Sequence, residues 1–156
     1  MAHEILLKHE CPRIKVSEAK LKKIAARILS DLGFKKAALS VLLVDGPEMR
    51  RLNRRYLRHA WSTDVLAFSE KKSRGRAQTR NPGRDNADFL GDIALCLPTI
   101  RSQAKEYEHT FEEELHYCLC HGILHLMGYE DKNRKTSKTM HRKQGQILKR
   151  VKKKSV

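Results

Sequence analysis

One apolar run, His121-Gly-Ile-Leu-His125-Leu-Met-Gly128-Tyr-Glu-Asp131, carries the residue types that could do chemistry. Residues four apart on a helix leave the same face one turn apart, so both imidazoles can reach a single metal ion. Gly128 can take the left-handed conformation that ends a helix, after which the chain can turn a side chain back toward that ion. Asp131 stands in that place. Counted from His121, ligand types follow at four and ten residues with a glycine at seven, the H-x-x-x-H-x-x-G-x-x-ligand spacing of zinc enzymes. Three protein ligands leave a fourth position for water, as in a catalytic rather than a structural centre. Two packed core histidines are the bland alternative, and they leave the glycine and the carboxylate as coincidences. Zinc proteases place their general base, a Glu, directly after the first His; here that residue is Gly122. A peptidase would therefore lack its base, and the base for any hydrolysis would be a metal-bound hydroxide or a group elsewhere in the chain.

The elements that must position these residues are legible in part. Thr110-Phe-Glu-Glu113 is a capping box, and its acidic first turn suits the positive end of a helix running through His121 and His125. Ser17 offers an N-cap to a segment with Leu21, Ile24, Ala25, Ile28, Leu29 and Leu32 at helical spacing, closed by Gly33. Pro47 opens a helix with Met49, Leu52 and Tyr56 on one side and arginines on the other, and Pro98 opens another to about Tyr107. Met140, Gln144, Ile147, Leu148 and Val151 form the stripe of a last helix whose outer face is basic and whose end, 152–156, is expected to fray. Strands are expected at Ile5-Leu6-Leu7, at Leu39 to Val44 (buried on both faces), at Ser62 to Phe68, and at Phe89 to Cys96, where Gly91 marks a bulge or a close backbone approach. The basic stretch 69–87 between the last two reads as a mobile loop inside one domain spanning 1–156, not as a boundary.

The chain has 156 residues with 33 Lys plus Arg against 18 Asp plus Glu, a formal charge of +15. That length suits one domain, and that charge points to a polyanionic partner, nucleic acid before a membrane surface, since no basic amphipathic helix with bulky aromatics is evident. Cys11, Cys96, Cys118 and Cys120 form no C-x-x-C pair and read as reduced, buried thiols of a cytoplasmic protein. The N-terminus lacks the pattern of a signal peptide, and no apolar run approaches the roughly 18 residues of a membrane span.

Four blocks taken in order resemble the YbeY family of metal-dependent endoribonucleases of ribosomal RNA maturation: Leu52-Asn53 with Tyr56; Thr63-Asp64-Val65-Leu66-Ala67-Phe68; Leu90-Gly91-Asp92-Ile93; and His121 to Tyr129, with Met140 beyond. The resemblance runs from about Leu39 to Leu148 and implies an α+β fold, a small mixed four-stranded sheet packed with about five helices. It implies one zinc ion per chain in a basic cleft, cleavage of single-stranded RNA, and partners in ribosomal RNA and the ribosomal small subunit; the protein is expected to be a monomer. The family's third ligand is usually a His two residues after the Tyr, where this chain has Asp131, so the metal set expected here is His121, His125 and Asp131. A carboxylate in place of an imidazole makes the site more negative and admits Mg²⁺ or Mn²⁺ more readily. The family's arginine after Tyr56 is replaced by Leu57; Arg58 beside it either takes over the contact with phosphate, as a catalytic residue, or is an exposed surface arginine. Glu130 and Asp92 are candidate bases that also fit turn or capping roles. The competing classes are a ribosome-assembly factor with a structural metal and a zinc peptidase.

Overall fold

Ser17 accepts from the Lys20 backbone N–H at 3.3 Å and so starts the first helix, while Gly33, at φ +97°, follows its end in the left-handed region. In the computed structural model, which describes residues 3–57, 63–70, 87–130 and 132–153, nine elements follow in the order β1 (Glu4–His9), α1 (Glu18–Asp31), β2 (Ala37–Val44), α2 (Gly46–Leu57), β3 (Val65–Ser69), β4 (Asp88–Cys96), α3 (Leu97–Glu106), α4 (Phe111–Leu126) and α5 (Arg134–Lys153). The strand expected from Ser62 begins at Val65, and α5 continues through Lys153, into the expected tail. Residues 71–86, most of the basic stretch, and 154–156 lie outside the described residues.

The sheet has the order β1-β2-β4-β3, with β1, β2 and β4 parallel and β3 antiparallel at the edge. Parallel neighbours on both sides explain the nearly continuous apolar run of β2, every residue of which is buried or half-buried. One face of the sheet, with Leu39, Val41, Leu43, Ile93 and Leu95, packs into a core shared with α1, α3, α4 and α5; the other meets α2 through Val44, Met49, Leu66, Ala94 and Cys96. The register slips between Ala38, opposite Phe89, and Leu39, opposite Gly91, so Leu90 is the extra residue of a bulge. Gly91 there has φ +141°, and a Cβ on it would come within 2.2 Å of the Phe68 carbonyl oxygen; the bulge and the close approach expected from sequence are one feature.

The central helix is α4. Both halves of its capping box are present, Thr110 Oγ1 accepting from the Glu113 N–H at 3.0 Å and Glu113 Oε1 from the Thr110 N–H at 2.9 Å. Beyond that polar turn it is buried almost all round, including Leu115, Leu119, Ile123 and Leu124. All four cysteines are free and buried, and burial pushes the thiols of Cys11, Cys118 and Cys120 up, away from the reactive thiolate.

Candidate metal centre

Toward the C-terminal end of α4, on a half-buried side of the helix, His121 and His125 stand one turn apart. Their ring centroids are 4.5 Å apart and their Nε2 atoms 3.0 Å. The other nitrogens are held from behind. His125 Nδ1 lies 3.0 Å from the Tyr129 carbonyl oxygen, and His121 Nδ1 lies 3.2 Å from Gln144 Oε1. Both oxygens only accept, so both Nδ1 atoms carry the proton and donate. The Gln144 amide is oriented by its own Nε2, which donates to the Tyr117 carbonyl at 3.3 Å. That tautomer leaves Nε2 of each ring as the nitrogen able to coordinate a metal, and the two Nε2 atoms approach each other to 3.0 Å. This is the arrangement in which outer groups fix the tautomer of metal-binding imidazoles, and the donor set suits zinc.

The helix ends as the glycine predicts. Gly128 takes φ +100°, and the Tyr129 N–H donates to the Leu124 carbonyl at 3.1 Å. The turn returns the Tyr129 carbonyl to His125, so the segment leading to the third expected ligand already runs back over the site. Asp131 and Arg58 themselves lie outside the described residues. Among the described residues no third His, Cys, Asp or Glu completes a cluster. Asp92, weighed as a base, shares its sheet face with Ala94 and Cys96, opposite the face that α4 covers. Glu130 is exposed and lies 3.6 Å from Lys132, in a turn role.

Two features escaped the sequence. Gln144 sits in the core stripe of α5 and is fully buried, a polar residue at an apolar position; that mismatch was the available signal. His141 is stacked on Tyr117, ring centroids 5.9 Å apart, with its Nδ1 on the Tyr117 hydroxyl. Burial and the neighbouring acid Glu114 push the Tyr117 hydroxyl up to about 12, so it stays protonated and donates to His141. Gly122, where a protease would carry its base, faces the sheet: a Cβ there would come 3.0 Å and 3.1 Å from Ile93 and 3.2 Å from Val65. A glutamate at that position would enter the core instead of the site.

A two-histidine helix laid across a small mixed sheet, with a left-handed glycine at its end, defines a class of helix-borne metal hydrolases. The chain belongs to the Endoribonuclease YbeY family, whose sequence pattern matches residues 7–152. Among its relatives, Endoribonuclease YbeY of Bacillus cytotoxicus is 37% identical over 110 residues, 70% of each chain. The protein of the same name from a Geobacillus species is 38% identical over 115 residues, 73% of this chain and 72% of the relative. The solution structure of TM1509 from Thermotoga maritima superposes with a TM-score of 0.59 at 28% identity, covering 96% of this chain and 88% of that one.

Proposed function

We propose that the chain is a metal-dependent endoribonuclease that cuts single-stranded RNA, with ribosomal RNA in small-subunit maturation and ribosome quality control as its substrate. The observation that carries the reading is the approach of the His121 and His125 Nε2 atoms to 3.0 Å, with both Nδ1 atoms on acceptors behind them. Membership of a family named for endoribonucleases supplies the reaction class. His121, His125 and Asp131 would hold the ion, zinc in the first instance, which would supply Lewis-acid polarisation of the phosphodiester. Gln144 and the Tyr129 carbonyl fix the tautomer and aim of the two imidazoles; the basic chain, Arg58 included, would neutralise the phosphate charge around them. Among the described residues no helix is long and apolar enough to cross a membrane; the proposed site of action is the cytoplasm, and the proposed state a monomer.

The test is cleavage of an unstructured RNA and of a matched duplex by purified protein, with chelator and with His121→Ala and His125→Ala. Metal-dependent cutting of the single strand that both variants lose is the expected result. Cutting that survives both substitutions would overturn the reading.

A further inference from the structure

The outer face of α5 carries a charge pattern that the metal centre does not use. Its 20 residues, RKTSKTMHRKQGQILKRVKK, contain no Asp or Glu. The buried stripe, Met140, Gln144, Ile147 and Val151, docks the helix, and the cations lie mostly on the opposite side. Two of them point back into the fold: Arg150 makes a bidentate pair with Asp31 at 2.8 Å and 2.9 Å, and Lys152 reaches Glu113 at 4.0 Å. Arg134, Lys135, Lys138, Arg142 and Lys149 are exposed and, among the described residues, have no carboxylate within ion-pair reach.

We propose that this face is a binding surface for the phosphate backbone of single-stranded RNA, a rail beside the metal centre. The proposal rests on the endoribonuclease reading and names the part of the molecule that holds the strand away from the cut. Three observations select that partner. Arg134, Lys138 and Arg142 follow at one-turn intervals, each step a rise of about 6 Å, so the unpaired charges form a row for a polymeric anion and not a cluster for a single ion. The exposed positions of the helix hold Lys, Arg, His, Thr, Gln and Gly but no bulky apolar side chain, so the face has nothing to insert into a lipid surface. The helix is also joined to the site itself, since Gln144 on its buried side touches His121 and His141 touches Tyr117. A strand held at the two histidines can continue round this same helix, about 30 Å long, onto its row of cations.

The experiment is fluorescence anisotropy of a labelled unstructured RNA of about 20 nucleotides titrated with the protein across a series of salt concentrations. The variant Arg134→Gln/Lys138→Gln/Arg142→Gln/Lys149→Gln keeps helix propensity, because Gln is about as good a helix former as Lys or Arg, and circular dichroism verifies its fold. Each lost phosphate contact should flatten the slope of log affinity against log salt by about 0.7, so the fourfold change should remove up to about 2.8 and weaken low-salt binding at least about tenfold. A control removing the same charge elsewhere, Arg13→Gln/Lys22→Gln/Lys23→Gln/Lys35→Gln, should leave the slope close to wild type. Equal flattening by both variants would assign the effect to net charge and overturn the proposal, as would an unchanged slope in the α5 variant. Binding to phosphatidylserine vesicles that the α5 variant loses while its RNA binding stays intact would assign the face to membranes instead. Binding and cutting are read separately: a wild type that binds steeply with salt but cuts nothing refutes the enzyme reading and leaves the rail standing.

Discussion

Gln144 does for His121 what the Tyr129 carbonyl does for His125: it accepts from Nδ1 and turns Nε2 toward the other ring. Replacing it with Leu keeps the volume of the core stripe but removes the acceptor, so zinc affinity should fall about 10- to 100-fold, while Gln144→Glu, which still accepts, should fall less. Calorimetric titration of zinc into both variants checks this, and equal losses would mean that the residue only packs. The same titration tests the third ligand. Asp131→Ala should weaken metal binding strongly and Asp131→His should restore or tighten it, whereas wild-type affinity in Asp131→Ala would remove that residue from the centre. The histidine pair was legible because its geometry is local, four residues on one helix. Gln144 was not, because its role exists only once α5 docks on α4, and a polar residue in an apolar stripe announces a partner without naming it. The Tyr117 and His141 pairing was hidden for the same reason, and it places His141 on a tyrosine hydroxyl.

At the scale of elements, the centre is held in place by how closely α4 lies on β3 and β4. Gly122 sets that approach, since any side chain there meets Ile93 and Val65. Gly122→Ala should destabilise the fold by about 1–3 kcal/mol through overpacking, and Gly122→Glu by more, without creating peptidase activity. Urea unfolding and a casein digest decide it; a stable Gly122→Glu variant that cuts casein would show that the side chain reaches the site after all. Caps and periodicity made α1, α3 and α4 readable nearly to their ends, since those signals lie within each segment. The pairing of strands was not readable: β1 and β2 run parallel because α1 carries the chain back across the sheet, β2 and β4 because β3 runs back between them in sequence, and such crossovers leave no local mark. The strand itself starts at Val65, opposite Leu95, with the Asp64 carbonyl just before it accepting from the Cys96 N–H at 2.9 Å.

Across the whole molecule, acid and metal should act on stability in opposite directions. Burial lowers the His116 imidazole below its ordinary value, so the folded chain resists protonation there more than the unfolded chain does. Stability linked to His116 is therefore fully present above the ordinary histidine range and is lost as pH falls through the lowered folded value; His116→Phe should flatten the decline in Tm between pH 7 and pH 5. A metal that binds the folded centre works the other way. At a concentration 100 times its Kd it adds about 2.7 kcal/mol, and for a chain of 156 residues that corresponds to a rise in Tm of roughly 5–11 °C. The four cysteines give zinc a foothold on the unfolded chain and should shrink its rise, whereas manganese, which favours oxygen and nitrogen over thiolate, should show less of that loss relative to its affinity. His125→Ala removes one of the two expected imidazole ligands from a half-buried position, so its metal-free Tm should stay near wild type while the metal-induced rise disappears. Thermal melts of wild type and variant, with and without each ion, separate the outcomes: a rise that persists in His125→Ala places the ion elsewhere, and no rise in wild type with either ion removes the metal from the centre.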